Sequence, residues 1–426
     1  MSLLYNIIIE IKKEGVVMNF NEKLNNYSNI ILTKGINVQD GEKIEIRASI
    51  DDAKFARMLM DEAFKLGAEN VDIRWIDYES QKIKLQKAPK KIFKEVPDWE
   101  IKKYKDYIGD GWSIINLSAP DPEIFKDVDS KLLGEWSQVK SKAFKFVQKK
   151  LTSFENKWTI ALAASKPWAR KVFPDSNEDE AYKKLWDYIF KCTRVDKENY
   201  KELWTNHVDT LKNKYNYLTD KGFVKFRYEG PGTNLEVGML KKGKWFGAVT
   251  KGPNNVDVMP NIPTEEICTS PNKHMTNGRV QATMPLVYNG NIINDLWFEF
   301  KEGKVVDFGA SKGKELMGTF LDTDEGAKYL GEVALVPVDT PIYQLDTLFY
   351  NTLYDENASC HLALGDALPM CIVDNLTEMS DEQKEKIGFN ESTVHLDFMI
   401  GSEDLNIIGM LPNGNEEYIF RNGKWA

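Results

Sequence analysis

Histidine is scarce in this chain: there are 4 in 426 residues. Cysteine is equally rare. Cys192, Cys268, Cys360 and Cys371 show no CxxC spacing and are too few to staple a chain of this length, so the sequence predicts reduced thiols in the cytoplasm. There is no excess of positive charge. The 56 basic residues face 65 acidic ones, a net charge of −9, which argues against a nucleic-acid partner or an anionic membrane surface. The lysine runs around 83–106 and 138–150 are interleaved with acids or apolar residues and read as solvated faces. No segment reaches the roughly 18 uncharged apolar residues of a membrane span. Internal repeats and low-complexity segments are absent too.

What is present suits a globular protein of two or three domains, with 42% hydrophobic residues to fill their cores. The opening MSLLYNIIIEIKKEGVVMNF is not a signal peptide. Its positive charges follow the apolar stretch, Glu10 interrupts the run, and no small-residue cleavage site comes after it. Glu-Gly-Val just upstream of Met18 can be encoded as a bacterial ribosome-binding sequence. Residues 1–17 are therefore read as a leader or over-called start, with Met18 as the natural first residue.

From residue 43 the pattern is strand, helix, strand. KIEIRAS alternates, Ser49 can cap the following helix, AKFARMLMDEAFKLG has apolar residues at helical spacing, and Gly67 stops it before VDIRWID. This predicts a parallel βαβ unit. Further strands are expected in GWSIINLSAPDP and NKWTIALAASKPWARKVFP, and two helices in NEDEAYKKLWDYIFKC and NYKELWTNHVDTLKNKYNYL. His207, in the second helix, reads as a packing or surface histidine. Beyond residue 220 short alternating runs take over, punctuated by the hairpin signals YNGN, KEGK, PNGN and RNGK. The expected architecture is an α/β domain with an open, mostly parallel sheet over 18–220, then an α+β, β-rich domain over 221–426.

The candidate chemistry lies in the second half. In VHLDFMIG, strand alternation puts His395 and Asp397 on one face and Val394, Leu396 and Phe398 on the other, a metal half-site above an apolar floor or simply a polar outer face. Glu332 in YLGEVALVPVD is costly to bury without a cation, which a metal or an arginine could supply. Glu356 and His361 flank NASC at a spacing that matches no zincin motif. Cys360 with His361 as its base would be a poor nucleophile pair, because adjacent side chains diverge. Glu265 and Glu266 read as an acidic loop. Together these segments offer five ligand-type side chains and a spare carboxylate, the number that two metals about 3.5–4 Å apart would need.

NIPTEEICTSP, LGEVALVP, FYNTLYDENASCHLALG and STVHLDFMIGSEDLNI, in this order, resemble the aminopeptidase S and aminopeptidase T (thermophilic-type) family of dinuclear metalloaminopeptidases. The resemblance runs from Met18 to the terminal NGKWA and includes GPGTNLEVGM. It implies a β-rich catalytic domain with Glu266, Glu332, His361, His395 and Asp397 as metal ligands and Glu356 as the catalytic glutamate. It further implies two divalent cations (zinc, cobalt, magnesium or manganese), a homodimer, and peptide substrates with a free N-terminus, hydrolysed by a water activated between the cations. Two positions depart from the family pattern. Asn234 stands where aspartate is usual, and Leu368 replaces a tyrosine expected seven residues after His361, which raises the alternative of a weakened or inactive metal-binding homologue that binds peptides.

Overall fold

The computed structural model describes residues 18–118, 121, 123–288, 291–373, 376 and 379–426; the expected leader lies outside them. The first helix, Phe20–Ile30, starts at an Asn19 capping box with Glu22. The βαβ unit forms as its pattern predicts: Lys43–Ser49 and Asn70–Ile76 pair in parallel around the helix Ala53–Lys65. Ser49 accepts from Asp51 N, capping a short 3-10 turn that feeds the helix. Gly67 takes φ +99° just past the helix end, a conformation costly for any residue with a Cβ.

Two more parallel strands, Ser113–Ser118 and Trp158–Leu162, extend this sheet. Its fifth strand comes from far along the chain. Asn261–Ile262 pairs with Ile160 and Ala161, so the sheet runs in the order 70–76, 43–49, 113–118, 158–162, 261–262. The helices Glu178–Cys192 and Tyr200–Lys221 follow the sheet in the chain, and Gly222 ends the second of them in the left-handed region.

The rest is antiparallel. An eight-stranded sheet is built from hairpins at KEGK, PNGN and RNGK, and a separate two-stranded hairpin spans YNGN, whose residues 289–290 lie outside those described. A five-stranded sheet, in the order His395–Met399, His361–Gly365, Leu330–Leu335, Ile267–Thr269, Phe246–Gly247, carries most of the candidate site. One hydrophobic core runs through both halves, from Leu24 and Tyr27 to Ile419 and Phe420. Trp168 Nε1 donates to the Phe349 carbonyl at 2.5 Å across the two halves.

Candidate metal centre

Register decides which side chains meet. Glu332 lies opposite Ala363, and Ala363 opposite Asp397, so the two carboxylates flank one methyl group on a single face. His361 and His395, each two residues earlier on its strand, share that face. The opposite face turns Val333, Leu362, Leu364, Leu396 and Phe398 into the core. A bulge between Leu330 and Glu332 sets the register, and Gly331 permits it, since a Cβ there would overlap the carbonyl oxygens of Gly365 and Asp366.

The other two residues arrive from outside these strands. Glu266 sits in the short link between Asn261–Ile262 of the parallel sheet and Ile267–Thr269 of the antiparallel one, at the junction of both. Glu356 ends the short helix Thr352–Glu356. All six sequence candidates line one cavity of about 270 Å³. Within it, ligand atoms of Glu266, Glu332 and His361 lie within 4.8 Å of one another, as do those of Glu332, His395 and Asp397; Glu332 belongs to both groups.

The hydrogen bonds fix the imidazole tautomers. His395 Nδ1 is 2.8 Å from the Asp366 carbonyl oxygen and His361 Nδ1 is 3.2 Å from that of Ser359. A carbonyl only accepts, so each Nδ1 carries the proton and each Nε2 is left for a cation. His395 Nε2 lies 3.1 Å from Glu332 and 3.2 Å from Asp397, and His361 Nε2 lies 3.3 Å from Glu266. A lone pair facing a carboxylate is repulsive unless a proton or a metal cation sits between them. The titration behaviour states the same demand. Burial opposes charge on both rings, yet Glu266 with its neighbours lifts His361 to about 10, and Asp397 with Glu332 lifts His395 to about 12. Burial, Glu266 and Asp397 push the Glu356 carboxyl well above its usual range.

A divalent metal fits these residues. Glu266 Oε2 is buried with no aligned hydrogen-bond donor among the described residues despite its nearness to His361, and the donor set of imidazole and carboxylate suits transition ions. A thiol hydrolase does not fit. Cys360 Sγ is buried, bonded to the backbone of Val336, and pushed up by burial to about 12, and as the neighbour of His361 it lies on the other side of the strand. Leu368 lines the same cavity as an apolar wall.

Sequence reasoning missed the Arg194–Glu265 pair that holds the Glu266 segment in place, while His207 packs there as its position on the helix suggested. Glu265, 2% exposed, receives a two-pronged ion pair from Arg194 at 2.6 and 2.8 Å, and Arg194 holds φ +58° to deliver it. His207, kept neutral by burial, donates from Nε2 to the Thr264 carbonyl at 2.7 Å. The one signal for Arg194 is that arginine is rare beside lysine in this chain, since a planar fork is needed to grip a buried carboxylate.

A sheet face bearing imidazoles and carboxylates, open to a cavity and floored by core, offers a donor set suited to divalent metal ions. The sequence profile of the thermophilic metalloprotease (M29) family matches residues 20–425. The chain is 41% identical to aminopeptidase AmpS of Bacillus subtilis (strain 168) over 407 residues, covering 96% of this chain and 99% of that protein. Against aminopeptidase T of Thermus aquaticus the identity is 35%, covering 96% and 99%. The solved structure of wild-type AmpT from Thermus thermophilus superposes with a TM-score of 0.89 at 32% identity, covering 96% of this chain and 100% of that one. The chain belongs to the thermophilic metalloprotease (M29) family.

Proposed function

We propose that the protein removes N-terminal residues from peptides with a free amino terminus, by hydrolysis at a centre of two divalent cations. The names of its relatives support an aminopeptidase, and one geometric observation carries the dinuclear reading: the two potential ligand groups share Glu332. Glu266, Glu332 and His361 would hold one ion, and Glu332, His395 and Asp397 the other, with Glu332 between them. Zinc, cobalt, magnesium and manganese all suit this donor set. Bound there, such ions supply Lewis acidity, polarising a carbonyl and making water acidic near neutral pH.

The chain's own groups do the rest. Glu356 lies in the same cavity, its carboxyl raised by burial and by the carboxylates around it. With cations offsetting those charges it would ionise, take a proton from the attacking water and pass it to the leaving amine. The ammonium of the substrate finds a carboxylate-rich surround. The Nδ1–H bonds to Ser359 and Asp366 hold both rings in their tautomers through the cycle. Residues 221–426 would carry the chemistry, while 18–220 contributes Phe154 and Trp158 to the cavity wall. Homodimerisation and a cytoplasmic setting, implied by the sequence resemblance and by the free cysteines, complete the proposal. An inactive homologue finds no support, since Leu368 removes none of the six groups that bear on the metals or the proton.

The test uses purified protein, stripped of metal, reloaded with each ion and assayed on aminoacyl chromogenic amides. Turnover should appear with metal and vanish with chelator. Glu356→Gln should keep the metal content measured by elemental analysis yet lose roughly 10²–10⁴-fold in kcat. Chelator-resistant turnover, or an unimpaired Glu356→Gln enzyme, would refute the mechanism.

A further inference from the structure

We infer that the apolar part of the cavity over the ligand cluster receives the side chain of the substrate's N-terminal residue and selects large uncharged apolar side chains, while the leaving peptide runs into a second cavity that meets the first at Glu356. This rests on the aminopeptidase reading above and specifies its substrate.

The cavity of about 270 Å³ has two kinds of lining. The carboxylates and imidazoles of the cluster lie largely on the strands His395–Met399, His361–Gly365 and Leu330–Leu335, while Cys268 and Phe246 sit opposite each other on the two strands beyond them. Phe154, Trp158, Leu368 and Met370 complete the apolar part of the wall. Among the described residues no lysine or arginine lines the cavity, and the charged groups there are those of the cluster. A substrate whose ammonium and scissile carbonyl sit at the cluster has only this apolar remainder in which to place its first side chain. A side-chain carboxylate there would meet four protein carboxylates and, among the described residues, no lysine or arginine to pair with.

The wall is built to stay in place. The Phe154 and Trp158 rings stack at 5.7 Å with 11° between planes, and Trp158 Nε1 is occupied by the Leu151 carbonyl at 2.9 Å. Phe154 holds φ +54°, a backbone cost for a bulky residue of the kind found at ligand clamps. Leu368 is pinned by its own N–H, which donates to Ser270 Oγ at 2.8 Å.

The second cavity, also about 270 Å³, touches only Glu356, His395 and Asp397 of the six. Tyr288, Tyr350, Asn351 and Thr352 line it with groups able to hydrogen-bond a peptide backbone. Glu356 must reach the leaving amine, so the chain beyond the scissile bond departs on that side.

The experiment measures, by calorimetry on metal-loaded protein, the binding of leucinamide, phenylalaninamide, glycinamide and aspartic acid α-amide, and in parallel the hydrolysis of the matching dipeptides. Leucinamide and phenylalaninamide should bind at least about tenfold tighter than the other two, within the range that small differences in apolar side chain produce. Met370→Trp should compress the leucinamide-to-glycinamide affinity ratio about tenfold, and Leu368→Lys should raise the relative affinity for the aspartyl amide. Equal binding of all four amides, or variants that weaken all four alike, would overturn the assignment. If the amides rank as stated while no dipeptide is cleaved, the side-chain pocket stands and the peptidase reading falls.

Discussion

The backbone N–H of Glu265 donates to Oδ1 of Asn357 at 2.7 Å, joining the residue before Glu266 to the residue after Glu356. The proposed metal ligand and the proposed proton carrier thus come from distant segments but are tied by one buried bond. Asn357 Nδ2 in turn donates to the Leu353 carbonyl at 2.8 Å, fixing the amide to the helix that ends in Glu356.

Asn357→Ala leaves the Glu265 N–H buried without a partner, which should lower stability by about 1–3 kcal/mol. Because Glu266 and Glu356 are then free to drift apart, kcat should fall by at least ~10-fold beyond what the loss of folded protein explains. Denaturant unfolding and single-turnover kinetics on the folded fraction separate the two effects.

Arg194→Met strands the Glu265 carboxylate in the interior and should cost roughly 3–5 kcal/mol. Adding Glu265→Gln removes the stranded charge, so the double variant should be more stable than Arg194→Met alone. A double-mutant cycle in denaturant checks this, and a double variant no better than the single would mean the pair contributes little.

Ala363 separates Glu332 from Asp397 with a single methyl. Ala363→Leu should push a side chain into the space between the ligand groups and abolish metal retention, for an overpacking cost of about 1–3 kcal/mol. Elemental analysis of the folded variant provides the reading; full metal content would contradict the proposed placement.

Asp52 is a stability switch apart from the site. It is buried, its Oδ2 has no partner among the described residues, and burial with the neighbouring Asp51 lifts its carboxyl to about 7. A raised carboxyl favours the protonated fold, so its stabilising contribution is complete below about pH 4, the unfolded value, and is lost as pH rises through 7. Asp52→Asn should therefore be more stable than the parent at pH 8 by roughly 1–3 kcal/mol, with the gap closing at pH 4. Melting curves across that range decide it.

Local signals made much of this fold legible. The 43–76 unit and all four hairpins follow from alternation, helical spacing and turn residues, which act within a few positions. The shared face of His395 and Asp397 followed from strand geometry alone. Glu332 could not be assigned to that face by counting, because its register depends on the Gly331 bulge. The residues around Glu266 read as an ordinary acidic loop because the Arg194 that neutralises Glu265 lies 71 positions away. Asn261–Ile262 was invisible as a strand, since two residues have no period.

That short strand has a consequence for synthesis. While the ribosome is still making the second half, Trp158–Leu162 exposes a bare flank of amide and carbonyl groups, the kind of template on which nascent chains mispair. The flank is covered only when Asn261–Ile262 emerges, and Thr264, Glu265 and Glu266 are next out of the exit tunnel. Sealing the newborn sheet and laying the first stone of the metal centre are consecutive acts of one stretch of polypeptide.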